Sequence, residues 1–289
     1  MLKGKKEMGT TGVSEGKNKR NYKVEDVMSR EVVTIAPEST LYEAAKKMGE
    51  KRIGSLVVVK YDTPVGIITE RDLLSKAVCG GIDLKKDWLV GGASIKEEKV
   101  EKIMSYPLVT ISAKSSIKDA AKMMIEKKIR RLGVRKSGKL VGIITASDMI
   151  RSLPEVPEAM RMWFEIDYFM AKRVITVEEK TSVDAVAKIM GENRIGSVIV
   201  TSQGEPKGIF TERDLLTKFL VQDKPLTTEV GNVCSSPLIT APLGISVKDA
   251  AAIMSSKGIR RLPIVEEGKI VGIVTARDLV EAYARGRVR

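Results

Sequence analysis

Four pairs of oxygen-bearing side chains recur at one spacing: Thr69 and Asp72, Thr145 and Asp148, Thr211 and Asp214, Thr275 and Asp278. Each pair closes a Gly-apolar-apolar-Thr-x-x-Asp heptapeptide that begins at Gly66, Gly142, Gly208 or Gly272. The order fits a strand turning into a helix. At such a turn the first N–H groups of the helix are unpaired and can meet an anion or a sugar. A purely local reading stands beside this one, with Thr as N-cap and Asp as its capping-box partner. Two tandem arginine pairs, Arg130-Arg131 and Arg260-Arg261, add charge. A guanidinium fork suits phosphate oxygens in a bidentate fashion. Their alternative role is a solvated strand mouth or an ion pair with Asp or Glu. Arg71, Arg213 and Arg277 are weaker candidates, because the second copy has Ser147 at that position.

The elements that must position these groups repeat as well. Gly142, Gly208 and Gly272 fall 76, 142 and 206 positions after Gly66. The same offsets carry Thr34 to Thr110, Thr176 and Thr240, and Ile53 to Ile129, Ile195 and Ile259. Fixed-period self-similarity of this kind marks a repeat architecture. Within each unit a short β-type run, residues 31–35 in the first, precedes a helix. That helix carries apolar residues at Leu41, Ala44, Ala45 and Met48, the i, i+3, i+4, i+7 spacing of one buried face. Thr40 with Glu43, Ser116 with Asp119 and Ser246 with Asp249 give capping-box starts, and Ser182 with Ala185 breaks the box in the third unit. Two strands follow, residues 55–59 and 65–69 in the first unit, around a turn holding Asp62 and Pro64. A second helix begins at Thr-x-x-Asp. The unit is β-α-β-β-α.

Units one and three share Arg-Ile-Gly-Ser and Thr-Glu-Arg-Asp-Leu-Leu, whereas units two and four share Ile-Arg-Arg-Leu. The pattern alternates A-B-A-B, as duplication of a two-unit module would leave it. Gly54-Ser55 and Gly196-Ser197 stand where the B units carry their arginine pairs, so the A units bring less phosphate charge from that position.

Composition narrows the chemistry. The chain of 289 residues contains no histidine, which removes His-based acid–base catalysis and His metal ligands. It shows no phosphate-binding P-loop and no G-x-G-x-x-G. Binding rather than catalysis is the expected role, with no metal. Two cysteines, Cys79 and Cys234, sit at non-equivalent positions, which fits a reduced, cytoplasmic protein. No apolar run approaches the ~18–20 residues of a membrane helix. Lys3, Lys5 and Lys6 lack an apolar stretch behind them, which argues against a signal peptide. The net charge is +13, concentrated in part in the basic tails. These tails read as solvated segments, with attraction to nucleic acid as the sharper alternative. Residues 154–165 include Met160, Met162, Trp163 and Phe164, an apolar cluster expected to pack between modules.

These motifs resemble those of CBS domains, named after cystathionine β-synthase, in four tandem copies forming two Bateman modules. The arrangement resembles the gamma subunit of AMP-activated protein kinase. The resemblance implies an α/β fold of four units in two pseudo-symmetric pairs, disc-like overall. The expected segments are a basic tail at 1–23, a first pair at 24–153 (units 24–78 and 100–153), a linker at 154–165, a second pair at 166–284 (units 166–221 and 229–284) and a basic tail at 285–289.

The resemblance also implies roles. Asp72, Asp148, Asp214 and Asp278 would hold ribose hydroxyls. Thr69, Thr145, Thr211 and Thr275, with Arg130, Arg131, Arg260 and Arg261, would lie on the phosphate side. The adenine edge would be read near Thr34-Ile35, Thr110-Ile111, Thr176-Val177 and Thr240-Ala241. In the kinase subunit the first arginine of each pair looks like a histidine. Arg130 and Arg260 therefore keep the charge but lose the pH-sensitive ring. The expected function is a sensor that binds adenine nucleotides (AMP favoured, ADP and ATP as alternatives) and signals to a protein target by conformational change. A homodimer is compatible with this. A nucleic-acid-associated protein acting through its tails is one alternative, and an S-adenosylmethionine-type binder, poorly served by paired arginines, is another.

Overall fold

In the computed structural model of the chain, residues 22–79, 98–152, 166–220, 222 and 224–285 are described. Of the basic tails, residues 1–21 and 286–289 lie outside the described residues, as do the middle of the linker between units one and two and the 154–165 cluster with Met160, Met162, Trp163 and Phe164; Lys23 instead precedes the first helix and Arg285 ends the last one.

Unit one contains β1 (Thr34–Ile35), α2 (Leu41–Glu50), β2 (Ser55–Lys60), β3 (Thr63–Thr69) and α3 (Glu70–Cys79), with a short helix α1 (Val24–Val27) ahead of them. Unit two has β4 (Thr110–Ser112), α4 (Ile117–Glu126), β5 (Arg131–Lys136), β6 (Lys139–Thr145) and α5 (Ala146–Ser152). Unit three has β7 (Thr176–Glu178), α6 (Val183–Glu192), β8 (Ser197–Ser202), β9 (Glu205–Thr211) and α7 (Glu212–Asp214), which widens into a π-type turn over Leu215–Leu220. Unit four has β10 (Ala241–Pro242), α8 (Val247–Ser256), β11 (Arg261–Glu266), β12 (Lys269–Thr275) and α9 (Ala276–Arg285). Units two, three and four are each preceded by a single 3-10 turn at Val100–Lys102, Ile166–Tyr168 or Val230–Asn232, where unit one has α1. The β-α-β-β-α order therefore stands, with one added turn at the front of each unit.

Each sheet has three strands, the first parallel to the second and the third antiparallel to it. The first strand is shorter than the 31–35 run suggests, because only Thr34 and Ile35 find partners, in Val57 and Val58. The hairpin turns are two residues long. Tyr61-Asp62, Ser137-Gly138, Gln203-Gly204 and Glu267-Gly268 all take positive φ, which matches the strand twist. Pro64, expected in the turn, and its counterpart Pro206 instead lie in β3 and β9 beside a register shift, where a missing N–H costs no ladder bond.

The helices form where the sequence says they should. Thr40 accepts the Glu43 N–H at 3.2 Å while Glu43 accepts the Thr40 N–H at 2.8 Å, and Ser116 with Asp119 does the same. Ser182 caps nothing with its side chain. Leu41, Ala44, Ala45 and Met48 are buried, as are their counterparts in the other three units. Burying each Leu or Met side chain contributes about 1.5–3 kcal/mol.

Two kinds of contact close the units into a ring. Within a pair, the segment leading into each first strand crosses to the partner unit. Ser29 exchanges two backbone bonds with Ile143, both 2.9 Å, and Ser105 does so with Ile67 at 2.8 and 3.0 Å. Ala171 with Ile273 and Ser235 with Ile209 repeat the exchange in the second pair. Between pairs, helices pack. Units two and four share one apolar core, with α5 against α8 and α9 against α4. Leu216 of unit three enters the core of unit one, and Leu74 of unit one enters that of unit three.

Candidate functional site

The site begins where the second strand of each unit starts and the third ends. Arg131 pairs in register with Thr145, Arg261 with Thr275, Ser55 with Thr69 and Ser197 with Thr211. Backbone bonds lock the next residues: Ala146 N–H to Arg130 O and Ala276 N–H to Arg260 O, both 3.0 Å; Glu70 N–H to Gly54 O, 3.2 Å; Glu212 N–H to Gly196 O, 3.1 Å. The arginine pairs and the Thr-x-x-Asp turns therefore sit at the same end of each sheet. The heptapeptide glycines follow from the segment exchange. A Cβ on Gly66, Gly142 or Gly208 would stand 2.7, 2.8 or 2.6 Å from the carbonyl oxygen of Ser105, Ser29 or Ser235.

All four Thr–Asp pairs form the local device. Asp72 Oδ2 accepts the Thr69 N–H at 2.9 Å and hydroxyl at 2.8 Å; Asp148, Asp214 and Asp278 do the same with Thr145, Thr211 and Thr275. What remains is Oδ1. In Asp148, only 4% exposed, it meets the Arg151 guanidinium and, at 3.5 Å, the Ser29 hydroxyl. In Asp214 it pairs with Lys218 at 2.8 Å. Asp278 Oδ1 has no hydrogen-bond or ion-pair partner among the described residues. Burial pushes the Asp278 carboxyl above the usual aspartate value, against the Thr275 bonds that lower it.

The four units surround a cavity of about 870 Å³. Thr145, Asp148, Thr275 and all four paired arginines line it; Thr69, Asp72, Thr211, Asp214 and Asp278 do not. Ile35, Ile111, Val177 and Ala241 are buried in the cores. Neither they nor Thr34, Thr110, Thr176 and Thr240 reach the cavity; in units one and three the residues just upstream, Val32-Val33 and Val174-Ile175, form part of its apolar wall.

Twelve Lys and Arg side chains but only four Asp and Glu face this space. Two of the carboxylates, Glu70 and Glu212, are 5% and 4% exposed and organise the arginines. Glu70 of unit one meets Arg213 of unit three at 3.1 Å and Arg260 of unit four at 3.4 Å. Glu212 of unit three meets Arg71 of unit one and Arg261 of unit four, both at 3.4 Å. Burial alone would push the Glu70 carboxyl up, but the charges of Arg260, Arg213 and Arg131 together hold it below the usual glutamate value. The ion-pair alternative for the arginines is therefore realised for Arg260 and Arg261. Among the described residues, their counterparts Arg130 and Arg131 form no ion pair within 4 Å. Burial, with the Arg71 charge beside it, brings Arg130 down to about 9. Burial likewise brings Arg131 to about 10, despite the Glu70 charge that raises it.

Glu70 and Glu212 were invisible as arginine partners in the sequence, although the alternation held the signal. The A units carry Gly54 and Glu70 where the B units carry Arg130 and Ala146. A Cβ on Gly54 would stand 2.8 Å from Glu70 Oε2 and 2.9 Å from Arg131 Nη2, so glycine leaves room for both side chains.

The CBS-domain family model matches residues 24–78, 100–155, 165–221 and 230–285. The chain belongs to the CBS-domain family. Among curated relatives, the uncharacterized protein MJ1404 of Methanocaldococcus jannaschii is 28% identical over 91% of this CBS-domain chain. The chain spans 62% of that relative's length. Protein MJ1225 from the same organism, described as a candidate archaeal homolog of g-AMPK, has a solved structure. It is 25% identical, with a TM-score of 0.73, covering 91% of this chain and 100% of that one. An uncharacterized conserved protein from Pyrococcus horikoshii shares the fold at TM-score 0.62 and 24% identity, with 91% and 100% covered. No helix among the described residues is long and apolar enough to cross a membrane.

Proposed function

We propose that this CBS-domain protein is a regulator that binds adenine nucleotides in the clefts between paired units and passes their occupancy to a protein target. One observation carries the reading: a cavity shared by all four units, rich in arginine, whose Arg130 and Arg131 have no carboxylate within ion-pair distance among the described residues. Phosphate is the anion that a guanidinium fork fits best. Asp148 and Thr145, at the wall formed with Val32-Val33, are the leading contacts for a sugar. Asp278 and Thr275 are their counterparts in the repeat of the second pair, where Thr275 but not Asp278 lines the cavity. AMP is the favoured ligand, with ADP and ATP as alternatives. The likeness to a protein described as a g-AMPK homolog supports the same class. The positive excess disfavours a sulfonium ligand.

The chain acts by binding rather than by catalysis. Because the cavity is built from four units, a ligand that contacts several of them binds one packing of the ring better than another. That differential affinity is what shifts a partner. Thermal unfolding with AMP, ADP, ATP and adenine tests the reading. A nucleotide at 100 times its Kd adds about 2.7 kcal/mol. Melting should rise with a nucleotide and not with adenine. A flat response to all three nucleotides overturns the reading.

A further inference from the structure

We propose that the outer face of unit two, along α4 and the β5–β6 hairpin, is a docking surface for the phosphate backbone of double-stranded nucleic acid, bound without regard to sequence. This goes beyond the nucleotide reading and does not depend on it. None of the lysines on this face lines the cavity.

The repeat supplies the comparison. Residues 114–139 of unit two, with the cavity-lining Arg130 and Arg131 set aside, carry eight Lys and Arg against two Asp and Glu. The same stretch carries five against four in unit one (38–63) and three against three in unit three (180–205). In unit four (244–269) it is again three against three, with Arg260 and Arg261 set aside. All four stretches fold into the same helix and hairpin, so the excess in unit two is not a demand of the fold. Lys118 and Lys122 lie one turn apart on the exposed side of α4, away from the buried Ala120, Ala121 and Met124. Lys114, Lys136 and Lys139 are exposed as well.

Backbone bonds gather these charges at one edge. Ala113 N–H donates to Arg135 O at 2.9 Å, and Glu25 N–H to Ala113 O at 3.0 Å, which brings Lys23, Lys114 and Lys136 together. Glu25, set among them, pairs with Lys136 at 2.9 Å. That bond and the Lys136 charge, then the charges of Lys23 and Lys114, hold the Glu25 carboxyl below the usual glutamate value. One carboxylate thus answers three lysines. Asp26 and Asp119 are engaged as caps on the N–H groups of Lys23 and Ser116. Among the described residues, Lys114, Lys118, Lys122 and Lys139 form no ion pair within 4 Å. The chain also enters the fold at this edge. Ile117 N–H meets Tyr22 O at 3.4 Å, and residues 1–20 ahead of it carry six Lys and Arg against two Glu.

The kind of partner follows from what the face lacks. A helix that lies on a lipid surface sets apolar or aromatic side chains into it beside its lysines. Single strands are held by aromatic rings on which bases stack. The exposed large apolar side chains among the described residues are Tyr61, Tyr106 and Tyr168, none of them in this stretch. What remains is charge on a helix and a hairpin, which suits a stiff polyanion. A duplex presents one charge per about 1.7 Å of its axis and releases condensed counterions to the lysines that meet it.

Fluorescence anisotropy of short labelled DNA duplexes, titrated with the full chain across a salt series, tests this. The logarithm of affinity should fall linearly with the logarithm of salt concentration. Lys118→Gln combined with Lys139→Gln should weaken binding alike on two duplexes of unrelated sequence and reduce that slope by about two. Lys248→Gln combined with Lys269→Gln removes the same charge from the matched, also exposed positions of unit four. It should leave affinity and slope close to those of the parent. All four residues are exposed, so both double variants should melt with the parent. Equal losses in the two variants would mean that net charge alone attracts the duplex, and would overturn the proposal. So would a parent that binds no duplex, or one that binds a single strand of the same length more tightly. Vesicles of phosphatidylserine and phosphatidylcholine are the remaining arm. Vesicle binding that is lost in the Lys118/Lys139 variant while duplex binding is unchanged would assign the face to a membrane and overturn the proposal.

Discussion

Glu70 and Arg260 stand 190 positions apart in the chain and 3.4 Å apart in the fold. The same carboxylate takes Arg213 Nε at 3.1 Å through its other oxygen. One buried charge in unit one thus ties units three and four to it. Attraction inside a buried ion pair is largely offset by the loss of hydration. The cluster therefore fixes how four similar units meet more than it adds net stability.

Removing one partner is a different matter, because it strands the others. Glu70→Ala should destabilise the protein by up to about 3–5 kcal/mol in urea unfolding. Adding Arg260→Ala should recover part of that loss, since one uncompensated cation disappears. Losses that simply add would show that the two residues do not interact.

The same carboxylate sets an acid dependence. Glu70 is held below the usual glutamate value in the fold. Its stabilisation is therefore whole above the unfolded value of about 4.3 and is lost as pH falls through the lower folded value. The stability gap between the parent and Glu70→Gln should stay level from about pH 7 to 5 and close toward about pH 3. A gap that widens on acidification would contradict the assignment.

Gly142→Ala tests the exchanged segment. Its new Cβ would meet the Ser29 carbonyl at 2.8 Å and the Met28 sulfur at 2.6 Å. The segment must move, at a cost of about 1–3 kcal/mol. Proteolysis should also cut faster ahead of β1 in this variant than in the parent. Unchanged stability would mean that the two units do not hold each other by this crossing.

Asp72, Asp148, Asp214 and Asp278 separate cap from ligand contact. Each Asp→Ala change should lower stability by about 0.5–2 kcal/mol, because each removes a helix cap. Only Asp148→Ala and Asp278→Ala should also weaken AMP, by about tenfold or more. Thermal melts with and without AMP, run beside calorimetric titrations, read both effects. Four variants that melt earlier yet bind like the parent would reduce the motif to a cap.

The sequence alone determined what is written within a few residues of chain. The four units, their β-α-β-β-α order and the A-B alternation follow from a constant register. The helices follow from caps and spacing, down to the missing box at Ser182. Each of these signals is local, because a cap spans one turn and an apolar face repeats every 3.6 residues. Pro64 and Pro206 escaped the local reading, because a two-residue turn and a register shift place them one step inside the third strand. Only the tertiary structure decided why the heptapeptide starts with glycine and what the arginine pairs touch. The glycine makes room for a segment of another unit, as Gly66 does for Ser105. Arg260 and Arg261 meet carboxylates 190 and 49 positions away, while Arg130 and Arg131 meet none within ion-pair distance among the described residues. Nothing in a repeat says which copy will face which. That choice belongs to the packing of helices and the crossing of segments that close the ring, and it alone distinguishes an arginine held in an ion pair from one that is not.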